Sequence, residues 1–119
     1  MEIATRLSDQ IARYLDLASA ETKLTAANMA NIDTPGYRAV GMDFEGEMRR
    51  AFADVDAGQA AHSVRVDEVD GLVARPDGND VSMDREGLNL AEAQLKFKTG
   101  VALLHQEYQR VMDAIHVDK

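Results

Sequence analysis

From residue 83 to residue 116 the chain holds no proline, and its large apolar side chains recur at helical spacing. Leu90, Phe97, Val101, Leu104, Tyr108, Val111 and Ile115 step by 7, 4, 3, 4, 3 and 4. This is a seam of coiled-coil type, and a helix that carries one must lie against another helix to bury it. At 1.5 Å per residue such a helix runs roughly 50 Å. Asp84 is placed to cap its start. Leu88, Leu95, Leu103 and Met112 fall off the seam and give the helix a second apolar face. Gly100 costs about 1 kcal/mol relative to alanine in a helix interior, unless a neighbouring backbone approaches there.

A partner helix is available at the other end of the chain. Ile3, Leu7, Ile11, Tyr14 and Ala18 step by 4, 4, 3 and 4, and Leu17, Ala20, Leu24 and Ala27 continue at 3, 4 and 3. The stripe drifts around the helix, so this segment is expected to meet more than one neighbour. The expected fold is mainly α. Two long terminal helices, residues 1–30 and 83–119, pair as a coiled-coil-like hairpin around a small irregular or β middle segment, residues 31–82, in one domain.

In that middle, residues 53–62 are rich in alanine, with Gly58 and acids, and read as mobile. Val64, Val66, Val69, Leu72 and Val73 alternate in β fashion, and Pro76-Asp77-Gly78-Asn79 is a turn. Together they predict a small hairpin within residues 64–82.

Leu, Ile, Val and Phe make up 27 of the 119 residues, and there is no Trp. That fraction lies just above the level of about 20% below which chains tend to disorder, so the core is expected to be thin. The terminal helices are accordingly expected to fray or unfold in an isolated monomer and to order against neighbours.

The net charge of −8 argues against nucleic acid as a partner, because phosphate binding needs a basic face. The acids are concentrated: residues 43–86 hold 12 acids and 5 bases, whereas residues 1–42 hold 5 and 4. Nearly neutral ends suit surfaces that pack against protein. The chain has no cysteine, so neither a disulfide nor a thiolate metal site is available. No apolar run is long enough to span a membrane. Met1-Glu2-Ile3 lacks the basic, then apolar, plan of a secretory signal.

Motifs that carry catalysis are missing, including G-x-S-x-G, the P-loop, G-x-G-x-x-G and H-E-x-x-H. His62, His105 and His116 never pair at i,i+4. Asp77, Asn79 and Asp80 lack the spacing and the closing Glu of a calcium loop. The expectation is a protein that is not an enzyme and uses no cofactor.

One segment is more specific. In Asn28-Met29-Ala30-Asn31-Ile32-Asp33-Thr34-Pro35-Gly36-Tyr37-Arg38, a helix end runs into a sharp turn. Asn31 and Asp33 bond readily to nearby backbone. Pro35 pushes Thr34 to an extended conformation. Pro35-Gly36 suits a type II turn with glycine at positive φ.

The run Asn28-x-Ala30-Asn31-x-Asp33-Thr34-Pro35-Gly36-Tyr37, followed by Asp43-Phe44, resembles the signature of the flagellar axial proteins, the rod and hook family. Gly78-Asn79-Asp80-Val81, Asp84-x-Glu86, Leu90-Ala91-Glu92 and Gln94-Leu95-Lys96-Phe97 are similar to the family's entry into its C-terminal helix. Two positions depart from the pattern: Ala93, where Asn is usual, and Gly87, where a larger apolar residue is common. The short middle is similar to the proximal rod proteins.

The resemblance implies a structural subunit of the periplasmic rod, exported by the flagellar type III apparatus without a cleaved signal peptide. The partners it implies are the rod-base adaptor protein, the other proximal rod proteins, the membrane ring protein and copies of the chain itself. From the apolar spacing of the two terminal helices, assembly is expected through Ile3, Leu7, Ile11, Tyr14, Leu24, Leu90, Leu95, Phe97, Val101, Leu104, Tyr108, Val111 and Ile115. On the residues alone, a small cytoplasmic coiled-coil adaptor stays open; it would form a stable dimer through the 90–115 seam.

Overall fold

The computed structural model describes residues 4–117. Ile3, placed in the N-terminal stripe, lies outside the described residues. The elements are α1 (Arg6–Ala30), β1 (Val40–Gly41), α2 (Phe44–Asp56), β2 (Asp67–Glu68) and α3 (Met83–His116). The chain is mainly helical, with two long terminal helices and a minimal sheet between them.

Each helix starts on a side-chain cap that satisfies backbone N–H groups with no partner inside the helix. Thr5 and Ser8 form a reciprocal capping box at α1: the Ser8 amide donates to Thr5 Oγ1 at 3.0 Å and the Thr5 amide to Ser8 Oγ at 2.7 Å. Asp43 caps α2, taking the Gly46 amide at 3.2 Å. Ser82 caps α3, and Asp84, expected as the cap, sits inside the first turn. There its charge complements the positive end of the helix dipole.

The middle segment differs from expectation in two ways. A 13-residue helix, α2, occupies part of a region read as irregular. The signal for it is present: Phe44, Met48, Ala51, Phe52 and Val55 fall at helical spacing behind a capping Asp43. The hairpin within residues 64–82 does not form. β2 instead pairs antiparallel with β1, Val40 opposite Glu68 and Gly41 opposite Asp67. Alternation marks a strand but says nothing of its partner.

The terminal helices run antiparallel. Thr5 meets Glu107 at one end, Gly100 faces Tyr14 and Leu15, and Lys96 meets Glu21. The molecule measures 69 × 26 × 18 Å. Its hydrophobic core is slight, comprising Ile11, Leu17, Ala18, Ala39, Val81 and Ala93. Accessible surface is 7826 Å², against about 6,400 Å² for a compact chain of this mass. Many large apolar side chains stay exposed, most of them on α3.

The expected seam is rotated from the one that forms. Facing α1, the buried residues of α3 are Glu86, Ala93, Gly100 and Glu107, a strict heptad of small and polar side chains. Leu90, Leu104 and Val111 flank it half-buried, whereas Phe97, Val101, Tyr108 and Ile115 face outward at 41–48% exposure. Periodicity finds the largest apolar groups, but close approach selects the smallest. A Cβ on Gly100 would stand 2.6 Å from Leu15 Cδ2 and 3.0 Å from Tyr14 Cδ1, so here glycine permits the helix contact. Ala93, a departure from the family pattern, is fully buried.

Candidate functional site

Two regions stand apart from the hairpin body. The first is a polar knot at its base, where the Asn28–Val40 segment docks on residues 75–81.

Asn28, in the last turn of α1, is 1% exposed. Its Nδ2 donates to the Val40 carbonyl at 2.8 Å, and its Oδ1 accepts from the Val40 amide at 3.0 Å. One side chain thus does for β1 what a neighbouring strand would do. The Tyr37 hydroxyl donates to the same Oδ1 at 3.2 Å. Further on, the Tyr37 amide donates to the Thr34 carbonyl at 3.2 Å, closing a β-turn over Pro35 and Gly36. Gly36 has φ +74°, a region that costs other residues about 1–3 kcal/mol. Asn31 caps α1 through its own amide, and the Thr34 hydroxyl donates to Asn31 Oδ1 at 3.0 Å. Ala30, Asp33 and Pro35 are exposed around this turn.

The other half of the knot is Asn79 and Asp80, both buried. Asn79 Nδ2 donates to the carbonyls of Asn31 and Thr34 at 2.9 and 2.8 Å, while its Oδ1 accepts from the Val81 amide at 2.8 Å. Asp80 Oδ1 accepts from the Ala39 amide at 2.6 Å, and Arg38 Nε lies 3.1 Å from Oδ2 as an ion contact without hydrogen-bond alignment. The Gly36 amide donates to the Asp77 carbonyl at 2.8 Å. Arg75 ties the two sides through the carbonyls of Ile32 and Val81. The Asn28–Tyr37 run and the Asn79-Asp80 pair, separate in sequence, therefore make one hydrogen-bonded unit. Arg75 gave no sequence signal, because its partners are backbone carbonyls that only the fold brings near.

Asp43 and Phe44 lie beside the knot with a different task. Phe44 stands edge-on to Tyr14 at 5.7 Å between ring centres, and Lys96 Nζ lies 3.9 Å above its ring. That arrangement joins all three helices, and Lys96 also reaches Glu21 at 3.1 Å.

The second region is the outer face of α3. Phe97, Val101, Tyr108, Met112 and Ile115 form a stripe beside α1, and Leu88 and Leu95 stand on the far side at 62% and 66% exposure. Leu7 is exposed on α1, Tyr14 and Leu24 are half-buried, and Ile11 is buried. Near the far end, Glu107 accepts from the Thr5 hydroxyl at 2.8 Å and from Arg110 at 2.8 and 3.1 Å. The Arg110 hydrogen bonds first, then that of Thr5, hold its carboxyl below the usual glutamate range.

Among the described residues, no three His, Cys, Asp or Glu side chains come together as a metal site. No described helix is long and apolar enough to cross a membrane. His62 reaches Asp54 at 2.6 Å and His116 reaches the Met112 carbonyl at 2.7 Å, so the two histidines occupy separate places.

No family model matches the chain. Among curated proteins it is similar to the flagellar basal body rod protein FlgB of Salmonella typhimurium strain LT2, 32% identical over 119 residues, covering 85% of this chain and 86% of the relative. It is also similar to FlgB of Cereibacter sphaeroides, 32% identical with 93% and 97% covered, and to FlgB of Escherichia coli K12, 26% identical with 85% and 86% covered. A hairpin of terminal helices, with its signature segment folded into a knot at the base, thus coincides with similarity along most of the sequence, and the chain belongs to the FlgB family of flagellar basal body rod proteins.

Proposed function

We propose that this chain is a structural, non-catalytic subunit of the proximal rod, which self-assembles through its terminal helices and transmits torque in motility. The observation that carries this reading is the outward apolar stripe of α3, Phe97, Val101, Tyr108, Met112 and Ile115, on a helix already packed against α1. Contiguous exposed apolar surface of this kind marks a protein contact. A second stripe at Leu88 and Leu95 lets one helix meet more than one neighbour.

In this reading the knot sets the angle at which β1 and α2 leave the hairpin, so that every subunit presents its stripes alike. Residues 1–30, 31–82 and 83–119 act as one axial-protein unit. Its neighbours are copies of itself, the other proximal rod proteins, the rod-base adaptor protein and the membrane ring protein, in the periplasmic rod. It reaches that place through the flagellar type III apparatus without a cleaved signal, and it uses neither cofactor nor nucleic acid.

The test is swimming and basal-body electron microscopy in a strain that lacks the gene. Ring structures without a rod, with motility restored by the intact gene, are expected. Normal flagella would overturn the reading and leave a soluble coiled-coil adaptor, which would then dimerise in solution.

A further inference from the structure

Among the described residues two carboxylates keep a buried oxygen without a hydrogen bond: Asp80, whose free oxygen has Arg38 beside it, and Glu86. Glu86 sits in the first turns of α3 with 0% exposure. Arg85 Nη1 meets its Oε1 at 3.0 Å, while Oε2 is buried and has no hydrogen-bond partner. A buried carboxylate oxygen left without a partner is costly, so the site calls for a donor.

Room for that donor adjoins the residue, and Oε2, which has no accessible surface of its own, meets it only when the carboxylate turns towards the cavity. The cavity, of about 130 Å³, is lined by Glu86, Glu21, Thr25, Asn89, Leu24 and Met42, with Arg85 and the β1 backbone completing it. It is smaller than a cofactor site, which takes about 300 Å³ or more, and is of the scale of a side-chain head group. Glu21 is held from the other side by Lys96. A metal ion would want further anionic ligands, and no cluster of three exists among the described residues. Acceptors on several walls, with Leu24 and Met42 as apolar ones, suit a flat, many-donor cation. The surrounding segment, residues 43–86, carries 12 acids against 5 bases, which favours approach of positive charge.

We infer that this cavity is a receptor for an arginine side chain of a neighbouring protein chain, whose guanidinium donates to Glu86 Oε2. The source of that arginine rests on the rod reading above; the guanidinium site does not.

The experiment titrates N-ethylguanidinium chloride into the full chain, with sodium chloride at equal ionic strength as control. It follows the Glu86 carboxyl carbon and the Gly41 amide by NMR. A saturable shift is expected, weakened at least about tenfold in Glu86→Gln, the scale of one charge-assisted hydrogen bond. Asn89→Leu, which fills the cavity and leaves Glu86 in place, should abolish saturation; it carries the test should Glu86→Gln fail to fold. A linear response, or equal curves in wild type and either variant, would overturn the inference and leave water as the donor. In cells, a null strain that cannot swim combined with a Glu86→Gln strain that swims normally would remove the partner arginine while keeping the rod reading.

Discussion

The two ends of the hairpin are built on opposite principles. At the base, Asn28, Asn79 and Asp80 are buried polar side chains whose hydrogen bonds close almost entirely within the chain. Towards the other end, α3 leaves Val101, Tyr108, Met112 and Ile115 more than 40% exposed. Buried hydrogen bonds are directional and reject alternatives, whereas apolar contact is strong but indifferent to angle. One end therefore specifies geometry, and the other holds surface in reserve.

The sharpest way to break this contrast is Asn28→Ala. It strips the Val40 amide and carbonyl of their partner, and the expected loss is about 2–6 kcal/mol, at roughly 1–3 for each group left unpaired. Urea unfolding reads it, and a loss under 1 kcal/mol would mean that the knot is not what holds the base. Gly100→Val should cost about 1–3 kcal/mol by driving Tyr14 and Leu15 off the seam, seen as a lower midpoint in the same measurement. Gly36→Val forces a β-branched residue to φ +74°, for about 1–3 kcal/mol; it should block rod assembly, and normal swimming would sever the turn from assembly.

The Glu107 latch sharpens the contrast from the other end. Its folded-state carboxyl titrates below the ordinary value, so its contribution is present above that value and is lost as the pH falls through the folded one. Acid below about pH 4.3 should loosen the Thr5 end before the base, as faster amide exchange in the first turn of α1. Glu107→Gln should remove that pH dependence. The smallest effect on the monomer is expected from Val101→Ser with Tyr108→Ser, within about 0.5 kcal/mol of wild type. In the proposed rod the same pair should abolish motility; a large loss of monomer stability would show that the stripe serves the fold itself.

How much of this was readable in the sequence follows the same division. The two terminal helices announced themselves through apolar spacing, and Pro35-Gly36 announced its turn, because both are local relations. The buried face of α3 did not, since Ala93 and Gly100 carry no hydrophobic signal and Glu86 and Glu107 carry a contrary one. α2 was legible in Phe44, Met48, Phe52 and Val55, but Gly46 and the flanking acids obscured it. The pairing of β1 with β2, and of Asn31 with Asn79 48 residues away, depends on chain return, which no local pattern encodes.

The antiparallel hairpin is also a lever. Beyond the contact of Thr5 with Glu107, α3 continues to His116. A small tilt where Asn28 grips Val40 is thereby magnified over the 69 Å length of the molecule. Errors of aim would add from one subunit to the next in any assembly stacked along that axis. Accuracy at the fulcrum, more than adhesion at the tip, then decides whether such a stack stays straight.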